Sequence, residues 1–332
     1  MKLLRRRTSA SIVRSPFPVL ISLGVVALLA IAVAACGDDE KSTSGGNTSP
    51  GATVKRVSGA VNGDGSSTVF PITEAMAEEF KKIQPDVNVT VGISGTGGGF
   101  KKFCNGETDF SDASRPIKDE EKQACAAKAI EYVEFQIGFD GLSIITNPSN
   151  NFVDCLTTAE LKAIWSPDSN VSNWKDVRAG FPDKALKLYG PGTDSGTFDY
   201  FTEVINGTAK TSRSDYTASE DDNVLVQGIE GDNGGLGYFG FAYYEENASK
   251  LKLLGVDSGS GCVEPARDTI LDKTYKPLSR PLFVYVKKTA LQRPEVKEFI
   301  RYFLTDGRPL IDEVGYVQSP DDIYQTDLAK LE

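Results

Sequence analysis

Residues 87–103 read VNVTVGISGTGGGFKKF, and this stretch decides the fold class. Val87–Ile93 is short and rich in β-branched residues, the pattern of a strand. The segment Gly92-Ile93-Ser94-Gly95-Thr96-Gly97-Gly98-Gly99-Phe100 then turns the chain, and a helix is expected from Lys101. A strand that feeds a helix through a glycine-rich turn is a unit from which α/β folds are built.

The same alternation continues on both sides. Upstream, Thr73–Ile83 reads as a helix. Downstream, Thr108–Phe110 and Tyr132–Ile137 read as extended, with Lys118–Lys128 helical between them. Leu142–Thr146 is extended again, and Thr157-Thr158-Ala159-Glu160 forms a capping box ahead of a helix reaching Trp165. Leu186–Tyr189, Leu236–Phe239 and Leu282–Val286 are further strands, and a helix from Arg293 to Leu304 has Pro294 in its first turn. These strands are many for a single sheet, so the expected architecture is α/β with two lobes.

The chain has 332 residues, 36 basic and 46 acidic, no histidine, five cysteines and a net charge of −10. Without histidine there is no Ser-His-Asp or Cys-His nucleophile system and no imidazole-ligated zinc. The acidic balance argues against nucleic acid as a partner. Residues 2–14 carry Lys2, Arg5, Arg6, Arg7 and Arg14 and no acid, and an apolar run follows from Phe17 to Ala35. That run could serve as an uncleaved anchor helix. Its end, Val33-Ala34-Ala35-Cys36, instead resembles a bacterial lipobox, with residues 1–35 as signal peptide and Cys36 lipidated. Cleavage there leaves 31 basic against 46 acidic residues, a charge of −15. Residues 36–57 are poor in apolar residues and read as a flexible tether. The remaining Cys104, Cys125, Cys155 and Cys262 are even in number, which in an exported chain favours two disulfides. Three pairings are possible, and Cys104–Cys125 with Cys155–Cys262 is the one expected. A four-thiolate metal site has no CxxC pair to support it, and no metal is expected.

Three Gly/Ser/Thr turns precede helices: Gly63–Pro71, Gly92–Phe100 and Gly190–Phe198. Each places free backbone N–H groups and hydroxyls at a helix N-terminus, an arrangement that favours an oxyanion. Serine and threonine also cap helices with no ligand at all, but three such turns together point to an anion. None matches a P-loop, a dinucleotide fingerprint or a GxSxG nucleophile elbow. Arg115, in Asp112-Ala113-Ser114-Arg115-Pro116, offers a guanidinium that can bind a tetrahedral oxyanion through two parallel hydrogen bonds. Arg280-Pro281 reads as structural, near a lobe crossover. The acids of Ser219–Asn223 read as complements to a helix dipole.

Seven ordered blocks carry a family resemblance: DGSSTVFPITEAMAEEF, GISGTGGGFKKFC, DFSDASRPI, LYGPGTDSGTFDYFTE, DYTASEDDNVLVQGI, GLGYFGFAYYEEN and PLSRPLFVYV. Together they resemble the phosphate-binding subunit of the phosphate ABC transporter, the PstS family, from about Gly63 to the C-terminal helix. The resemblance implies a two-lobed periplasmic-binding-protein fold of type II, each lobe a mixed sheet flanked by helices, with phosphate held in the cleft. It divides the chain into 58–140 with 285–332 as one lobe and 141–284 as the other. By motif it implies ligand contacts from Ser67, Thr68 and the Val69 amide, from Ser94 and Thr96, from Ser114 and Arg115, and from Ser195, Gly196 and Thr197. Two positions depart from the family. Pro191 stands where many members have an arginine, so Arg115 is expected to supply the cation. Ser114 stands where the family has the aspartate that accepts the proton of hydrogen phosphate, and Asp112, Asp194 or Asp222 is expected in its place.

The resulting expectation is a monomeric solute-binding lipoprotein, anchored through Cys36 on the outer face of the cytoplasmic membrane. It would capture inorganic phosphate, with no cofactor and no catalysis, and deliver it to the permease of an ABC importer. Closure would hinge near Asp140–Ile144 and Arg280–Val284. A binder of another oxyanion (sulfate, arsenate or molybdate) would use the same donors, and a phosphatase or Ser-Lys hydrolase working through Ser195 is the enzymatic alternative.

Overall fold

β4 (Tyr132–Thr146), fifteen residues long, is the spine of the molecule. The computed structural model describes residues 56–332. The expected signal peptide, Cys36 and all but the last two residues of the tether lie outside the described residues. Among the described residues no helix is long and apolar enough to cross a membrane.

In chain order, β1 (Gly59–Gly65) leads into α1 (Phe70–Ile83), β2 (Val87–Ile93) into α2 (Gly95–Cys104), and β3 (Phe110–Ala113) into α3 (Asp119–Ala127). After β4 come β5 (Cys155–Thr157), α4 (Thr158–Trp165), α5 (Trp174–Val177), β6 (Lys187–Gly190) and α6 (Gly196–Phe201), the last running into a π-helical turn, Thr202–Asn206. Next are β7 (Thr217–Ala218), α7 (Asp222–Gly231), β8 (Gly235–Gly240), α8 (Phe241–Asn247), β9 (Lys252–Asp257), β10 (Cys262–Val263) and α9 (Arg267–Leu271). The chain ends with β11 (Ser279–Lys287), α10 (Pro294–Leu304), α11 (Pro309–Glu313), β12 (Val317–Gln318) and α12 (Asp321–Ala329).

The strand order is β2-β1-β3-β11-β4-β8-β6-β7. The first half of β4, to Gly141, pairs antiparallel with β11, whose other edge meets β3. Its second half, Leu142–Thr146, pairs instead with β8 and β9. One strand therefore belongs to two mixed sheets, each with its own core. The first core gathers Val61, Phe80, Phe110, Phe135, Phe299 and Phe303. The second gathers Ile144, Trp165, Trp174, Phe201, Tyr238 and Tyr275. Each such side chain contributes about 1.5–3 kcal/mol on burial, so each half has its own source of stability. This is the α/β two-lobed architecture expected from the alternating pattern.

Several element boundaries differ from the sequence reading. The strands expected at Tyr132–Ile137 and Leu142–Thr146 are one strand, β4, because Gly138 and Gly141 lie in an extended run rather than in a turn. β3 starts at Phe110 and not at Thr108. α1 begins three residues before Thr73, since Pro71 is well tolerated in a first turn. The glycines expected to turn the chain at residues 95–99 are helical: α2 begins at Gly95. The reason is packing, because a Cβ on Gly99 would stand 2.5 Å from the Gly65 Cα of β1. The capping box at Thr157 is present, with Glu160 N donating to Thr157 Oγ1 at 3.1 Å and Glu160 Oε2 accepting from Thr157 N at 2.8 Å. Disulfides join Cys104 to Cys125 and Cys155 to Cys262, the expected pairing.

Candidate anion-binding site

Gly65 ends β1 with φ +151°, and a Cβ there would meet the Asp112 carbonyl oxygen at 2.2 Å. Only glycine allows this approach, and it lets Ser66 N donate to Asp112 O at 3.0 Å. The chain then wraps into α1. Thr68 N donates to Ser66 Oγ at 3.2 Å, while no side chain caps the helix. The backbone N–H groups of Ser67 and Val69 have no acceptor among the described residues. These are the unsatisfied donors of a helix start, and Ser67, though not Val69, lines a cavity of about 410 Å³.

That cavity is lined by Ser66, Ser67 and Thr68 from this turn, by Thr96 from the start of α2, and by Ser114, Arg115 and Lys118 from the segment after β3. Asp199 and Tyr200 of α6, Glu203 of the π-helical turn and Arg280 of β11 also line it. Three cations therefore face two carboxylates. Thr96 and Ser114 share a hydroxyl–hydroxyl bond of 3.1 Å.

The two guanidinium groups differ in their surroundings. Arg115 is held in a bidentate pair with Glu121, at 2.9 and 2.8 Å. Arg280 is more enclosed, its side chain 13% exposed. It sits opposite Asp140 in the β11–β4 register and donates to Asp140 Oδ2 through Nε and Nη2, both at 3.2 Å. Nη2 also donates to Thr68 Oγ1 at 2.8 Å, and the guanidinium lies 3.5 Å from the Tyr200 ring centroid. Burial, opposed by Arg280, raises the Asp140 carboxyl above its ordinary range. Arg280 thus brings a fixed positive charge to the turn ahead of α1.

The third turn packs directly on the first. A Cβ on Gly196 would stand 2.5 Å from Thr68 Cα, and Thr68 Oγ1 donates to Gly196 O at 3.2 Å. Ser195, Gly196 and Thr197 line a second cavity, of about 470 Å³, on the far side of Ser67. The Ser195 hydroxyl accepts from Thr197 N at 3.2 Å, as a helix cap. Asp194, Glu220, Asp222 and Glu313 also line this cavity, and no lysine or arginine does. The structure thus brings Ser67, Thr68, Thr96, Ser114 and Arg115 together and sets Ser195, Gly196 and Thr197 next door. Ser94 lines neither cavity, and its hydroxyl donates to Asp64, which also accepts from Lys102 Nζ at 2.6 Å. Val69 is buried and lines neither cavity.

The three candidate acceptor acids are dispersed. Asp112 is fully buried, accepts from Thr73 Oγ1 at 2.8 Å, and lines neither cavity. Burial, partly offset by that hydrogen bond, pushes its carboxyl up to about 8. Asp194 and Asp222 face the second cavity, where burial and then Asp221 and Glu220 push Asp222 up to about 7. Asp221 caps α7, accepting from Asn223 N at 2.9 Å.

Residues 49–307 match the PBP superfamily domain. Protein SphX of Synechococcus elongatus is 52% identical over 267 residues, spanning 80% of this chain and 79% of that one. The phosphate-binding protein PstS of Staphylococcus haemolyticus is 42% identical over 281 residues, 83% of this chain and 86% of that one. The chain belongs to the PstS family. Among solved structures, a possible phosphate-binding protein from Planctomyces limnophilus is 54% identical with a TM-score of 0.80, covering 83% of this chain and 99% of that one. An ABC-type phosphate transport receptor from Vibrio cholerae, 23% identical with a TM-score of 0.61 over 78% of this chain and 99% of that one, shares the fold. PstS-family membership makes this a substrate-binding protein of ABC transport.

Sequence reasoning read Arg280 as structural and Asp140 as part of a hinge, whereas Arg280 lines the cavity, and it passed over Asp199, Lys118 and Glu203. For Arg280 a signal was present. Both guanidinium groups of the cavity come from a Ser-Arg-Pro tripeptide, Ser114-Arg115-Pro116 and Ser279-Arg280-Pro281. For Asp199 there was none beyond its place in the first turn of a helix.

Proposed function

We propose that this chain captures inorganic phosphate outside the cytoplasm and delivers it to an ABC importer, with the anion held in the cavity that contains both arginines. The observation that carries this reading is the contrast between two neighbouring cavities. One is lined by three cations and two carboxylates, and the other by four carboxylates and no cation. A dianion is attracted to the first and repelled by the second. Ser67, Thr68, Thr96, Ser114, the Val69 amide, Arg115 and Arg280 are the proposed contacts. Ser195–Thr197 form the neighbouring wall, and Ser94 braces Asp64. The names of the PstS relatives, which bind phosphate, support the choice of anion.

Binding alone accounts for the site. The Ser195 hydroxyl is engaged as a cap, and the lining offers no imidazole to activate it. We further propose that the lobes close about β4, where it passes from one sheet to the other near Asp140–Ile144, and about the start of β11. Because β11 pairs within the first sheet from Ser279 onward, the second crossover falls closer to Ser279 than to 284/285. A lipid on Cys36 would tether the monomer to the outer face of the membrane, within reach of the permease. Isothermal titration of the purified soluble chain with phosphate and with sulfate tests the reading. Phosphate should bind and sulfate should bind far more weakly. Equal affinity for sulfate, or binding of arsenate or molybdate without phosphate, would sink it.

A further inference from the structure

The second cavity repels anions, and its lining is built for the opposite charge. Asp194, Glu220, Asp222 and Glu313 line it, with no lysine or arginine. Glu220 Oε1 accepts from Asp194 N at 3.2 Å. The carboxylates of Asp194, Asp222 and Glu313 have no hydrogen-bond or ion-pair partner among the described residues. Exposed acids can rest in water, so by themselves they name no ligand. Tyr316 adds an observation of another kind. It is 7% exposed and lines the same cavity. Its hydroxyl has no partner among the described residues, and unlike the sealed hydroxyl of Tyr238 it keeps accessible surface. Burial raises this hydroxyl above the ordinary tyrosine range, and Asp140, Asp222 and Tyr243 add to that against Arg280. Two of those groups, Asp222 and Tyr243, belong to the lining. A buried tyrosine hydroxyl ordinarily finds a partner, and this one is placed where a ligand can supply it. Ile93, 57% exposed, and Pro71 and Val314 give the same lining an apolar part.

Among the described residues no three acids are placed to hold a metal ion. Dispersed carboxylates, a free hydroxyl and apolar side chains suit an elongated organic cation, and about 470 Å³ is room for one. The lining also comes from both halves of the molecule. Tyr316 packs in the first core beside Ile311 of α11, the helix that carries Glu313. Asp222 begins α7 and Tyr243 lies in α8, elements that pack with Leu225 and Phe239 of the other half. We propose that this cavity binds an aliphatic polyamine, its ammonium groups meeting Asp222 from one half and Glu313 from the other, with the Tyr316 hydroxyl accepting from the ligand. A ligand that ties the two halves together favours their closed arrangement. It should raise phosphate affinity, and phosphate should raise polyamine affinity by the same factor. That coupling rests on the phosphate reading above, whereas the polyamine site does not.

The test is calorimetric titration with spermidine at constant ionic strength, first without phosphate. The unaltered chain should bind one spermidine. Asp222→Asn combined with Glu313→Gln should weaken that binding at least about tenfold, and Tyr316→Phe by about threefold to tenfold. Asp168→Asn combined with Asp176→Asn removes the same two charges at exposed positions outside both cavities, and should change nothing. Glu313→Gln alone, at an exposed position, covers a double variant that does not fold, and should cost about twofold to fivefold. An absence of spermidine binding, or equal losses in the cavity pair and the control pair, would overturn the site while the phosphate reading stands. The second titration adds phosphate with spermidine present. Phosphate affinity should rise at least about fivefold in the unaltered chain and stay level in the cavity pair. Spermidine that binds without moving phosphate affinity would overturn the bridge between the halves. A chain that takes spermidine and no phosphate would support the site and sink the phosphate reading.

Discussion

Arg280 and Arg115 carry the same charge into one cavity but are held by different means. Glu121 takes both ends of the Arg115 fork, whereas Arg280 is stacked on Tyr200 and shared between Asp140 and Thr68. A lysine in place of Arg280 keeps the charge and loses the fork and the stacking. Arg280→Lys should therefore weaken phosphate binding by about 1.5–3 kcal/mol, the worth of a charged hydrogen bond. Arg115→Lys should cost clearly less, because Glu121 already competes for that guanidinium. Arg280→Ala should also destabilise the fold, by about 3–5 kcal/mol, since Asp140 is left buried with no counter-charge. Titration calorimetry and thermal unfolding of the three variants check this, and equal losses for the two lysine variants would refute the distinction. Arg115 was legible because it sits in a turn that the motif comparison reaches. Arg280 lies in a quoted block too, but its place beside Asp140 depends on a strand register, which the sequence alone does not set, and a one-residue slip would point it to the other face.

The elements were legible where local chemistry fixes them. Thr157 and Glu160 start α4 by bonding to each other, and Val87–Ile93 is extended by its own β-branched residues. They were not legible where packing decides, as at α2, whose glycines look like a loop and form a helix lying on Gly65. The same close approach recurs between α6 and the turn ahead of α1, where Gly196 meets Thr68. Gly196→Ala forces those two segments apart, because the atom in the way is Thr68 backbone rather than a flexible side chain end. Neither Thr68 nor Gly196 belongs to a core, so the fold should survive. The Thr68–Gly196 hydrogen bond should be lost, and phosphate affinity should fall at least about tenfold as the first turn and Arg280 lose their alignment. Calorimetric titration alongside a circular dichroism melt separates the two effects, and unchanged affinity would mean that this contact plays no part in shaping the site.

On the scale of the whole molecule, the chain is acidic yet keeps carboxylates in dry places, and that combination makes its stability depend on pH. Asp112 is the clearest case. It links β3 to α1 through Thr73, and burial moves its carboxyl from 3.8 to about 8. Between those two values the folded chain holds a proton that the unfolded chain has released. Stability from this group is therefore complete below the lower value and is lost as pH rises through the higher one, at up to about 1.4 kcal/mol per pH unit. Asp222 and Asp140 are raised as well and act with the same sign, so the contribution of Asp112 must be isolated by substitution. An asparagine side chain at this position would keep an acceptor for Thr73 and cannot ionise, so Asp112→Asn should match the unaltered chain in urea unfolding at about pH 3, below both values. Near pH 9 it should be more stable by about a few kcal/mol. Parallel pH profiles for the two chains would mean that Asp112 ionises as easily folded as unfolded, and that the tie between β3 and α1 does not depend on a neutral acid.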